Sequence, residues 1–216
     1  MSAEKGRGAG PAHRSLGEGG GEGRDNTSPR TSAEAVRVTA PLGAEEARSL
    51  RAGTRVLISG TAYTARDAAH KRMVEILAAG GALPFDLSGA VIYYAGPTPA
   101  RPGKPIGSVG PTTSSRMDRY VEPLLAAGLR GMIGKGERSA EVRQALSRHG
   151  AVYFAATGGA GALLARHIRS AEVVAWPELG PEAVRRIELV DFPALVACDA
   201  AGGDLYRSGR ESWRRA

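Results

Sequence analysis

RVLISGTAYTARDAAHKRMVEILAAGG, residues 55–81, decides the fold class. Arg55–Ser59 is a compact apolar run and reads as a strand ending at Gly60. From Thr64 to Ala79 the spacing becomes helical, with Ala69, Met73, Ile76 and Leu77 on one face. Thr64 is placed to cap that helix, Asp67 stands in the capping-box position, and Gly80-Gly81 stops it. Strand, turn and helix in this order form the unit of an α/β domain.

The pattern continues outward. Upstream, Val36–Thr39 alternates as a strand does, and Ala44–Leu50 reads as a short helix. Downstream, Val91–Ala95 is a strand closed by Gly96-Pro97. The Pro- and Gly-rich connection from Pro97 to Pro111 is too long to be idle in a compact domain and reads as a binding or active-site loop. A second helix is expected to start within Thr112–Ser115, with Pro123 kinking or splitting it. Gly131–Ile133 is a short strand leading into Gly134-Lys135-Gly136, Ala140–Arg148 is a helix stopped by Gly150, and Ala151–Ala155 is a strand. Thr157-Gly158-Gly159 opens a helix through His167. Val173–Ala175, Ile187–Asp191 and Leu195–Asp199 finish as strands, the last two separated at Pro193. The whole predicts an α/β domain with a mixed sheet.

With 216 residues, 42% of them apolar, the chain can bury one sizeable core. Aromatics are 5%, so that core is expected to be built from Ala, Val, Leu and Ile. The single cysteine, Cys198, excludes a disulfide framework and an all-cysteine metal or iron–sulfur site made by this chain alone. No apolar run approaches the roughly 18–20 residues of a membrane helix, and no secretory signal stands at the start, so a cytoplasmic protein is expected. Residues 1–35 lack Val, Ile and Phe and cannot offset their ordering entropy, so they read as a disordered tail before a domain spanning 36–206. Residues 207–216 read as a loose basic tail. Its four arginines against Glu211 supply three of the net +7. The remaining charge suits a solvated face or a site for small acidic molecules. The rival reading is a basic nucleotide- or RNA-binding module, but no aromatic platform accompanies the cations.

Four segments share one design, a strand followed by a Gly- or Thr-rich turn and then a helix start or a lone cation: Gly60–Asp67, Gly110–Arg116, Gly134-Lys135-Gly136 and Thr157-Gly158-Gly159. In open α/β sheets such ends converge on one crevice. Arg66 and Arg116 fall in first turns, where a cation opposes the helix dipole, which suggests an anion between them; Lys135 would be a third cation. A set of purely structural caps accounts for the same residues. Asp67 and Asp118 could pair with the neighbouring arginines. His70 lies one helical turn after Arg66, whereas His149 and His167 stand at helix ends, His13 is in the tail, and Cys198 reads as core.

Gly60-Thr61, Thr64–Arg72, Ile92–Pro97, Gly110–Asp118, Gly134-Lys135-Gly136 and Gly158–Ala160, in this order and spacing, resemble the β subunit, or C-terminal half, of class I fumarases and L(+)-tartrate dehydratases, which are iron–sulfur hydro-lyases. The resemblance covers about Val36 to Tyr206. It implies a swivelling β/β/α domain. It also implies a partner α subunit whose three cysteines hold a [4Fe–4S] cluster, a small C4 dicarboxylate substrate, and an α2β2-like hetero-oligomer. Residue by residue it implies that Arg66, Arg116 and Lys135 bind the substrate, that Thr112 is the proposed base with Lys135 beside it, and that Asp67, His70 and Asp118 stand behind them. Reversible hydration of fumarate to malate is the preferred activity and L(+)-tartrate dehydration the alternative.

Overall fold

The computed structural model describes residues 34–214. The disordered-tail reading therefore falls, apart from Glu34 and Ala35, outside the described residues, as does His13. In chain order the elements are β1 (Val36–Ala40), α1 (Ala44–Ser49), β2 (Arg55–Thr64), α2 (Asp67–Ala78), β3 (Val91–Tyr93), α3 (Asp118–Ala126), β4 (Gly131–Gly134), α4 (Ala140–His149), β5 (Val152–Ala155), α5 (Gly161–Leu164), β6 (Ile168–Ala175), β7 (Val184–Cys198) and α6 (Leu205–Trp213).

The sheet order is β1-β2-β3-β4-β5-β7-β6, with an additional β2–β7 pairing. Strands β1 to β5 run parallel to their neighbours, and β7 runs antiparallel to β5, β6 and β2. The β2–β7 pairing closes β2-β3-β4-β5-β7 into a barrel-like ring, which fits a swivelling β/β/α domain. Period-2 alternation then fills two cores. Val91, Tyr93, Ile133, Val152 and Phe154 point into the ring. Ile92, Met132 and Tyr153 point outward, where Met73, Leu124 and Leu146 of the helices cover them. Burying both faces explains why these strands read as apolar runs. The core is more aromatic than expected, because Tyr93, Tyr94, Tyr153, Phe154 and Phe192 are among its largest fully buried side chains.

Four local readings are corrected. Strand β2 runs on through Gly60, whose φ of +99° and register shift absorb a bulge; a Cβ there would meet the Ala40 carbonyl oxygen at 2.2 Å. Strand β7 is continuous through Pro193, because its long pairing with β2 outweighs one missing N–H. Thr64 ends β2 instead of capping α2, whose first residue is Asp67. Pro123 lies inside α3 without ending it.

The stretch from Arg207, expected as a loose tail, is helical to Trp213. The Asp204 side chain accepts from the Tyr206 and Arg207 N–H groups as its N-cap, and Arg210 pairs with Glu137. No helix among the described residues is long and apolar enough to cross a membrane.

Candidate active site

The parallel run places the carboxyl ends of β2, β3, β4 and β5 along one edge, and the four segments singled out from sequence follow from three of those ends and from the long loop after β3. Arg66 comes straight after β2. Thr112–Arg116 follow the loop that leaves β3, Lys135 follows β4, and Gly158 follows β5.

Backbone bonds stitch two of these segments to each other and to the end of β3. The Thr112 N–H donates to the Tyr94 carbonyl at 2.6 Å, the Lys135 N–H to the Thr112 carbonyl at 3.2 Å, and the Ser114 N–H to the Lys135 carbonyl at 2.9 Å. From beneath, the Tyr153 hydroxyl donates to the Gly136 carbonyl at 2.8 Å and lies 2.9 Å from Ser114 Oγ. A Cβ on Gly134 would fall 2.0 Å from that Ser114 oxygen, so only glycine lets the two segments approach this closely. A Cβ on Gly158 would fall 3.7 Å from Lys135 Nζ, so the exposed Lys135 side chain lies over the turn after β5.

The two arginines meet on one carboxylate. Asp67 Oδ1 accepts from Arg116 Nε at 2.8 Å, and its Oδ2 is 3.4 Å from Arg66 Nε. The anion that the sequence suggested between them is thus, in this structure, the chain's own Asp67. A second carboxylate, Glu182, has Oε1 3.0 Å from Arg66 Nη2 and accepts the Ala68 N–H on Oε2 at 2.7 Å. Sequence reasoning missed Glu182, which lies far from Arg66 along the chain. Arg66 is mostly covered and Arg116 half exposed.

Asp118 does not pair with Arg116. It accepts from Arg138 Nε at 2.8 Å and from the Ser139 N–H at 2.7 Å, at the start of α4. The Arg138 side chain is fully buried, with its guanidinium carbon 5.4 Å from the Tyr94 ring centre and 4.9 Å from that of Tyr153.

His70 is fully buried. Its Nδ1 lies 3.0 Å from the Arg66 carbonyl, which can only accept, so Nδ1 carries the hydrogen and Nε2 is left as an unpartnered acceptor. Burial lowers its pKa to about 4, against a smaller raising effect from the Arg66 carbonyl. The folded pKa therefore lies below the unfolded value of about 6.5. As pH falls from 6.5 towards 4, the unfolded chain takes a proton that the folded chain refuses. Up to about 3 kcal/mol of stability is lost across that window. Urea midpoints measured against pH should show this loss, and His70→Gln should flatten it; parallel curves for the two proteins would contradict it.

Among the described residues nothing fits a metal cluster. No group of three or more His, Cys, Asp or Glu among the described residues could hold a metal ion. Cys198 is buried, and burial pushes its thiol pKa up to about 12.

The family model for the fumarase C-terminus matches residues 18–209, beginning well inside the stretch set aside as a tail. A class I anaerobic fumarate hydratase of Escherichia coli is 44% identical over 156 residues, covering 71% of this chain and 28% of that protein. Fumarate hydratase 2 of Leishmania major is 43% identical with the same coverage. The chain thus spans little more than a quarter of the length of these two relatives. A Methanocaldococcus jannaschii protein named "Putative L(+)-tartrate dehydratase subunit beta" is 37% identical over 171 residues, covering 76% of this chain and 88% of that one. Closed mixed sheet, clustered turn motifs and a match over most of its length agree: the chain belongs to the fumarase C-terminus family.

Proposed function

We propose that this chain is the substrate-gripping subunit of a hydro-lyase that adds water to fumarate, working with a partner that carries a [4Fe–4S] cluster. The observation that carries the reading is the meeting of Arg66 and Arg116 on Asp67 at the carboxyl edge of the parallel strands. A dicarboxylate needs two cations held a fixed distance apart, and planar guanidinium forks grip carboxylates at two points. Arg66, Arg116 and Lys135 against Asp67 and Glu182 leave a surplus of one positive charge, which suits an anionic guest.

Hydration delivers hydroxide to one alkene carbon and a proton to the other. The carbon that gains the proton passes through a carbanion whose charge spreads onto its carboxylate. Cations fixed there in advance stabilise that charge more than they stabilise the ground state. In this reading Thr112 faces the carbon-bound proton. An alcohol is a poor base in water, so the role requires a neighbouring cation to stabilise the alkoxide, and Lys135 is the next residue along the same backbone ladder. The cluster is placed on the partner, because the sequence holds one cysteine and no group of three or more His, Cys, Asp or Glu among the described residues could hold a metal ion.

The tartrate alternative is favoured by one observation: a relative matched over 88% of its own length is named "Putative L(+)-tartrate dehydratase subunit beta". Co-expression with a three-cysteine partner, anaerobic purification and parallel assays of fumarate hydration and tartrate dehydration separate the two. Fumarate turnover by the complex, with a colourless and inactive isolated chain, is the expected result. A complex that turns over neither, or a brown isolated chain, would overturn the proposal.

A further inference from the structure

We propose that Glu182 is a positioning residue, whose carboxylate sets the orientation of the Arg66 guanidinium before a ligand arrives. The inference rests on the reading of Arg66 as a carboxylate clamp. Glu182 ends the turn Pro177–Glu182 between β6 and β7. That turn is fixed independently of Arg66. The Arg185 guanidinium donates to the carbonyls of Gly180 and Ala183 at 3.0 and 3.1 Å, and Arg72 of α2 pairs with Glu178 and lies 5.2 Å from the Trp176 ring centre.

Both Glu182 oxygens are engaged, one on Arg66 Nη2 and the other on the Ala68 N–H, an otherwise orphaned donor in the first turn of α2. The carboxylate therefore cannot turn away from the arginine without giving up its bond to the helix. Asp67 flanks Arg66 at Nε. On a third side the backbone of Gly96 closes in, where a Cβ would lie 3.2 Å from Arg66 Nη1 and 3.2 Å from the Pro181 carbonyl oxygen. A long, rotamer-rich side chain is thus ordered during folding and does not have to be ordered on binding. Glu182 could instead occupy the clamp in competition with substrate, and that role predicts the opposite sign in the test.

The test is Glu182→Gln in the complex with the cluster-bearing partner. The amide oxygen can still accept from Ala68, so the unfolding midpoint should hold, while the lost charge frees Arg66. KM for fumarate should rise about tenfold or more, with a smaller fall in kcat. An unchanged or lowered KM overturns the proposal. A readout independent of turnover uses the full chain alone: the Arg66 Nε–H resonance, assigned through its loss in Arg66→Lys, should be sharp in the wild type and broadened in Glu182→Gln. An unaltered resonance also overturns it. If the wild-type complex turns over neither fumarate nor tartrate, the hydro-lyase reading falls, and this resonance still decides whether Glu182 holds Arg66. Should Glu182→Gln not fold, Glu182→Asp, whose shorter arm cannot span both donors, is read the same way.

Discussion

Replacing Arg66 with alanine in the reconstituted complex should lower kcat/KM for the dicarboxylate at least about 30-fold, which is the loss of roughly 2 kcal/mol of transition-state stabilisation. The size follows from the position of the side chain. Its guanidinium is mostly covered and held between Asp67 and Glu182, so a charge-assisted contact made from it is poorly screened. Arg116→Ala should be comparable in kind and smaller in size, because half of that side chain is open to water. The two losses should not add, since both arginines lean on the one Asp67 carboxylate. Arg66→Lys should rescue little. A single ammonium cannot meet Glu182, Asp67 and a substrate carboxylate in the way a planar fork can. Near-normal kcat/KM in both alanine variants would remove the clamp from the account.

The second large effect is on stability. Asp118→Ala should destabilise the chain by about 3–5 kcal/mol, a third or more of a typical domain's margin. The Arg138 guanidinium is fully buried, its Nη2 already lacks a hydrogen-bond partner, and Asp118 is the carboxylate paired with it. Removing that carboxylate leaves a buried charge uncompensated and also strips the acceptor from the Ser139 N–H at the start of α4. Asp118→Asn keeps an acceptor and should cost less. The double variant Asp118→Leu/Arg138→Met, which removes both charges, should recover much of the loss. Urea unfolding of the four proteins checks this, and a loss below about 1 kcal/mol for Asp118→Ala would contradict it.

Local chemistry made much of this molecule readable. The helical spacing of Ala69 and Met73, the stop at Gly150 and the short apolar runs of β3 to β5 each carry their structure in a few adjacent residues. Long-range pairing hid the rest. Gly60 and Pro193 look like strand ends until β2 and β7 are seen to pair across the ring, where a bulge and one absent N–H are small losses against a long ladder. The same holds at the site. Arg66, Arg116 and Lys135 announce themselves by their turns, and Asp67 by its neighbours. Glu182 arrives from a distant turn, with nothing in its local sequence to connect it to Arg66. Asp118 looked like a partner for the arginine two residues before it, yet it serves Arg138. The signal available was an arginine standing directly before the Ser139 helix cap, a place where a buried cation needs a carboxylate.

On the proposed function, one C4 dicarboxylate should sit between the Arg66 and Arg116 heads, with Thr112 and Lys135 beside it. A structure of the complex with bound L-malate measures this directly. The account predicts one carboxylate on each arginine and the Thr112 hydroxyl facing the carbon between them. Malate seated elsewhere, for instance in the cavity of about 560 Å³ lined by Arg101, Lys104 and Arg166, with Arg66 and Arg116 still closed on Asp67, would contradict it.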